Sequence, residues 1–365
     1  MFDLHYTVME INFNWGIPDP STFVWKEIVE ITKYVLETQH EKALQYAPAQ
    51  GIEEVRYEIS KFLIKRGFSL DEDYILLTNG AKEGIFILSE VFSNVVSEEP
   101  TYQGFISTMK YKGINVYPIP WDNEGPRIDL LEKIVKEKSI KYFYVTPVNN
   151  PMGRVMSMER RKQLLELASQ FDFKIIEDDI YGFYVYDSPP LPAIKSLDKE
   201  GRVIYISSFS KIISPGLRIG FIAHEEIEKM VKIKNEINHQ VSSLDQFIVG
   251  EILKRELIDN IINYARVLYK KKRDIMVQSI KEYFPQSVEC TYPQGGFFML
   301  CENSKLDSLL LLKEANRRGV KFVPGTEFYY SEKGKGSFRL SFSYENKIAE
   351  GIKILGELLR QEVSL

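Results

Sequence analysis

The chain has 365 residues, 44% of them hydrophobic and 13% aromatic, which supplies a sizeable core and excludes wholesale disorder. That length exceeds one typical core and predicts a large domain accompanied by a smaller one. A net charge of −4 argues against a nucleic-acid-binding or polybasic membrane-binding surface.

The opening stretch, "MFDLHYTVMEINFNWG", lacks the basic and apolar regions of a secretory leader. No apolar run approaches the roughly 18–20 residues that span a bilayer. His5, His40, His224 and His239 are scattered, so no metal site is expected. Cys290 and Cys301 make neither a CxxC pair nor a disulfide framework, which fits a reducing cytoplasm. Gly334 and Gly336 read as a surface turn.

In chain order, "DYILLTNG" predicts a strand and turn, and "AKEGIFILSEVF" the helix after it. "INVYPIP" is a strand and "DLLEKIVKE" a helix. "IKYFYVTPVNNPMG" is a long strand that ends in a Pro/Asn/Gly loop. Ser157 is placed to cap the helix "MERRKQLLELASQF". "FKIIEDD" and "RVIYISS" add two strands. Such alternation predicts a mostly parallel α/β sheet. The C-terminal hundred or so residues carry a long charged helix near Ile261 to Tyr283, short mixed strands and a closing helix, the pattern of an α+β domain.

Asn79-Gly80, Asn149-Asn150, Asp178 and the Ser208-Ser210-Lys211 cluster all fall at the carboxyl ends of predicted strands, the edge where open α/β sheets bind ligands. "NGAKEG" offers backbone N–H groups at a helix start to an anion. Ser208, Ser210 and Arg218 add hydroxyls and a guanidinium fork suited to phosphate. Asp178 and Tyr181 place a carboxylate and a phenol at the same mouth, and Tyr102 offers a platform for a flat ring. Lys211 is a poor choice for an inward-packing strand end unless its ammonium is paired or its pKa falls. A phosphate cradle, an aromatic platform, a carboxylate and a lysine nucleophile together predict pyridoxal 5′-phosphate.

Eight stretches in order carry a family resemblance: "YAPAQGIEEVR", "LLTNGAKEGI", "EEPTYQG", "VNNPMG", "EDDIYGFY", "SSFSKIISPGLRIGF", "VPGTEFY" and "FRLSF". Over nearly its whole length the chain resembles the fold-type I, class I/II aminotransferases, and most of all the 2-aminoadipate, kynurenine and aromatic subgroup. The resemblance implies a large cofactor-binding domain over 40–265 and a small domain from 1–39 and 266–365. It implies that Lys211 is the Schiff-base lysine and proton shuttle, and that Asp178 pairs with the pyridine nitrogen. Asn150 and Tyr181 would hold the ring's phenolic oxygen, and Tyr102 would stack on the ring. Gly80, Ala81, Lys82, Ser208, Ser210 and Arg218 would hold the phosphate, with Tyr46 reaching it from the second subunit of a homodimer. Arg339 would grip the substrate α-carboxylate, helped by backbone near Gly16.

The implied reaction is ping-pong transamination between an amino acid and a 2-oxo acid such as 2-oxoglutarate. Two departures matter: Met152 replaces the usual threonine of the "NPTG" loop, and Lys82 stands where many relatives have Gln or Thr. No arginine precedes Arg56, so the N-terminal arginine that reads acidic side chains in some relatives is missing. Phe13, Trp15, Ile17 and Phe23 stand in that segment, and large apolar donors are therefore expected over aspartate. The same residues also suit an aspartate aminotransferase or a cysteine-conjugate β-lyase. The effector domain of a transcription regulator is the non-enzyme alternative, disfavoured by the net charge and by family-like sequence starting near residue 11.

Overall fold

The computed structural model describes residues 10–330 and 332–362; His5 lies outside them. The strands are β1 (Ile11–Asn12), β2 (Ile75–Thr78), β3 (Asn94–Glu99), β4 (Asn115–Pro120), β5 (Tyr142–Val145), β6 (Lys174–Asp178) and β7 (Val203–Ser208). They continue as β8 (Gly220–Ala223), β9 (Glu289–Cys290), β10 (Phe298–Glu302), β11 (Val320–Lys321), β12 (Val323–Pro324) and β13 (Ser337–Ser341). Seven form the large sheet, in the order β2-β8-β7-β6-β5-β3-β4. Only β8 runs against its neighbours. β2, β7 and β8 are buried at every position, as strands covered on both faces must be.

Alternate residues of these strands feed opposite faces, as the period of two dictates. Leu76, Ile204 and Ile222 pack on Ala81, Ile85 and Leu88 of the helix Ala81–Ser89. Leu77, Tyr205 and Phe221 pack on the other side, with Phe62 of the helix Glu53–Leu63 and Phe247 of the helix Ser243–Lys254. Ser157 caps the helix Met158–Phe171 by accepting from the Arg160 N–H. The fold is thus α/β, a mostly parallel sheet between helices, with a smaller α+β unit.

That smaller unit is the antiparallel sheet β12-β13-β10-β9. The helix Ile258–Tyr283 runs through both cores. Ile258, Ile261 and Ile262 enter the large-sheet core, while Ala265, Tyr269 and Met276 enter the other.

Two expectations fail here. Cys290 and Cys301 form a disulfide, with an S–S distance of 2.03 Å. The antiparallel register of β9 and β10 sets the two residues directly opposite each other. Gly334 is buried rather than in an open turn, because the short helix Glu332–Gly336 packs it on the Gly325 backbone. Among the described residues, no helix is long and apolar enough to cross a membrane, and no group of three or more His, Cys, Asp or Glu could hold a metal.

Candidate active site

The carboxyl ends of β5, β6 and β7 open on a cavity of about 270 Å³. Lys211, just beyond β7, lines it, and its Nζ donates to the Gly16 carbonyl at 2.7 Å. Burial lowers the Lys211 pKa to about 8, and the charges of Arg339 and Arg218 add to the effect. Gly16 packs closely here: a Cβ there would stand 2.2 Å from the Phe298 ring and force it to shift.

Asp178 ends β6. Its Oδ2 accepts the Tyr144 hydroxyl at 2.6 Å, while its Oδ1 is buried without a partner. Burial pushes the carboxyl up to about 7, against the pull of the Tyr144 bond. Tyr144 is itself fixed by stacking on Phe105, at 3.8 Å between ring centroids and 6° between planes. The adjacent Asp179 faces away from the cavity, paired with Arg66 at 2.6 Å and bonded by Tyr205 at 2.9 Å. Its work is structural.

Arg339 on β13 is buried. Nη1 donates to Asn150 Oδ1 at 3.0 Å and to Gln103 Oε1 at 3.3 Å, and Nη2 donates to the Asn14 carbonyl at 2.6 Å. The guanidinium lies over Phe298 at 4.0 Å and Phe328 at 4.7 Å. Its Nε has no partner, and burial lowers its pKa to about 10. A buried cation with an open donor and only neutral partners favours an incoming anion.

At the same edge, Asn79-Gly80 turns into the helix Ala81–Ser89, leaving helix-start N–H groups for an anion. Gly80 has a φ of 80°, and a Cβ there would sit 2.6 Å from Arg218 Nη2. Arg218 Nη2 donates to the Asn79 carbonyl at 2.7 Å. The Ser208 hydroxyl donates to Ser210 Oγ at 2.9 Å. Ser208 ends β7 and Ser210 directly precedes Lys211, so this cradle adjoins the cavity.

Of the residues singled out in the sequence, Gly16, Tyr102, Asn150, Asp178, Tyr181, Lys211 and Arg339 line one cavity. Gly80, Ala81, Ser208, Ser210 and Arg218 gather at its edge. The Lys82 side chain is exposed. Tyr46 is 85% exposed and does not line this chain's own cavity. Tyr144, Gln103 and Thr146 were not singled out in the sequence. Tyr144 was hidden inside an apolar strand, where only the pairing of β5 with β6 brings it to Asp178.

The family model for aminotransferase class I and II matches residues 10–355. The chain belongs to the class I and II aminotransferases. It is 41% identical to an uncharacterized aminotransferase of Saccharolobus solfataricus, over 97% of this chain and 92% of that one. It is 37% identical to aromatic-amino-acid aminotransferase 1 of Thermococcus litoralis, over 97% of this chain and 88% of that one. The crystal structure of Pyrococcus horikoshii kynurenine aminotransferase, in complex with PMP, superposes with a TM-score of 0.93 at 35% identity. That match covers 98% of this chain and 92% of the other.

The enzyme is a pyridoxal-phosphate-dependent aminotransferase of fold type I. Its residues fit that cofactor: the orphan Asp178 Oδ1 suits a protonated ring nitrogen, and the Gly80 cradle suits a phosphate.

Proposed function

We propose that this aminotransferase moves the amino group of a large apolar or aromatic L-amino acid, kynurenine or 2-aminoadipate to a 2-oxo acid such as 2-oxoglutarate. The observation that carries the reading is one cavity holding a half-buried lysine with only a neutral partner, an unpartnered Asp178 oxygen and an unpartnered Arg339 Nε.

Bound pyridoxal phosphate supplies a carbonyl that condenses with amines and a ring that withdraws electrons from the substrate Cα. Asp178 would hold the proton on the ring nitrogen through its unpartnered Oδ1. Asn150 and Tyr181 would hold the ring's phenolic oxygen, and Tyr102 would cover a ring face. Gly80, Ala81, Ser208, Ser210 and Arg218 would hold the phosphate, with Lys82 contributing its backbone. Arg339 orients the substrate by its α-carboxylate. Lys211 Nζ takes the proton from the substrate Cα, and its lowered pKa keeps a useful fraction of the amine neutral near pH 7 to 8.

The exposed Tyr46 supports a second reading of the assembly, in which it completes the phosphate site of a partner in a two-fold homodimer. An active monomer in analytical ultracentrifugation at assay concentration would refute it. The donor is tested by a half-reaction screen of twenty amino acids with kynurenine and 2-aminoadipate. Preference for aspartate, or pyruvate release from a cysteine conjugate, would select the aspartate aminotransferase or β-lyase reading instead.

A further inference from the structure

We propose that the buried Lys234–Glu83 ion pair, which does not line the cavity, sets the affinity of the phosphate cradle by holding Asn79. The inference rests on the reading above that this cradle takes the cofactor phosphate.

Asn79 is held from two sides. Its carbonyl accepts from Arg218 Nη2 at 2.7 Å, and its N–H donates to Glu83 Oε2 at 2.5 Å. Its side-chain amide also donates to Glu83, at 3.2 and 3.3 Å to the two oxygens. Glu83 is the third residue of the helix Ala81–Ser89 and reaches back past the N-cap Gly80 to the Asn79 N–H, one residue further than the N3 acid of a capping box. An acid there is favourable to the helix. Next to a bound phosphate it is also a repelling charge.

Lys234 resolves that conflict. It comes from the helix Glu228–Asn238, its side chain is fully buried, and its Nζ lies 2.8 Å from Glu83 Oε2. It also donates to Asn238 Oδ1 at 2.5 Å, and the Asn238 amide donates to Glu83 Oε1. Burying an ammonium is costly without a partner, and Glu83 is the carboxylate it meets. The pair cancels the Glu83 charge and leaves its oxygen on the Asn79 N–H. Lys234 is therefore a positioning residue, acting on the phosphate only through Glu83 and Asn79.

The test is the Kd for pyridoxal phosphate, by equilibrium dialysis of the full chain, with thermal unfolding recorded in parallel. Lys234→Met, which strands a buried carboxylate, is expected to weaken binding tenfold or more. Lys234→Met with Glu83→Gln is expected to return to within threefold of wild type, because an amide oxygen still accepts from Asn79 and needs no counter-charge. Should Lys234→Met fail to fold, Lys234→Met with Glu83→Ala against Lys234→Met with Glu83→Gln decides, since neither strands a charge: tenfold loss in the first with retention in the second supports the role, and equal values overturn it. Arg218→Ala separates the two levels. If it leaves Kd unchanged, the phosphate reading fails and the inference falls with it. If it weakens binding while Lys234→Met and Glu83→Ala stay within twofold of wild type, the ion pair is merely structural and the inference alone fails.

Discussion

Tyr144 donates its hydroxyl to Asp178 at 2.6 Å and so occupies one oxygen of a carboxylate whose other oxygen is free. The bond pulls the Asp178 pKa down while burial, the larger effect, holds it up to about 7, against an ordinary 3.8. Between those two values the folded, cofactor-free protein holds a proton that the unfolded chain releases. Stability therefore falls as pH rises from about 4 to about 7 and levels off above. Thermal unfolding of cofactor-free Asp178→Asn should show a shallower decline across that window. Tyr144→Phe should carry the decline above pH 7. Identical profiles for wild type and Asp178→Asn would disprove the assignment.

Lys211 titrates in the opposite sense. Its folded pKa is lowered to about 8 by burial and by the Arg339 and Arg218 charges, so the neutral amine accumulates as pH rises through 8. The rate at which pyridoxal phosphate modifies Lys211, trapped by borohydride, should be half-maximal near pH 8. Arg339→Gln, which removes a like charge, should move that midpoint upward. Lys211→Ala should still bind the cofactor and lose transamination by several orders of magnitude. A midpoint near 10.5, or near-normal turnover in Lys211→Ala, would count against its role.

Much of the large sheet was legible because its strands are apolar and end in residues with no packing rationale. β3 was not, because "NVVSEE" carries two acids through a buried strand. Glu98 is tolerated there only because Thr146 and Trp121 donate to it from other elements. Lys211 and Asp178 were found by their misfit at strand ends. Glu83 was overlooked beside Lys82, since a charge in a first helical turn looks like ordinary capping until Lys234 arrives from 151 residues away. The Cys290–Cys301 bond depends on a strand register that spacing alone does not reveal.

That bond yields a third prediction. It closes a loop with a sequence separation of 11, for which the loss of chain entropy corresponds to about 3 kcal/mol. The loop carries Thr291, whose hydroxyl donates to the Met152 carbonyl at 2.7 Å beside the Asn150 turn. Reduction, or Cys290→Ser with Cys301→Ser, should lower the denaturant midpoint and raise protease cleavage in the small sheet. Thiol titration of protein unfolded without reductant should find no free cysteine. Two free thiols would instead side with the reducing-compartment reading.

Specificity rests on what meets the side chain once Arg339 holds the α-carboxylate. Trp15, Ile17 and Phe298 line the cavity, whereas Phe13 is buried in the small-unit core and Phe23 does not reach the cavity. Lys211 and Arg339 are the only cations among the described lining residues, and each already has its task. Arg127 does not line the cavity and pairs at the surface with Asp129 at 2.7 Å. An aspartate side chain would thus lose hydration with no charge to meet it, while an aromatic donor gains by burial against Trp15, which is 56% exposed. Covering part of that indole is worth roughly 1–2 kcal/mol at about 25 cal/mol per Å². Phenylalanine should therefore exceed aspartate in kcat/KM by at least about tenfold. Trp15→Ala should cost phenylalanine roughly five- to thirtyfold and leave alanine within about twofold. A half-reaction screen in which aspartate beats phenylalanine tenfold would overturn this account and point to a cation supplied by a second subunit.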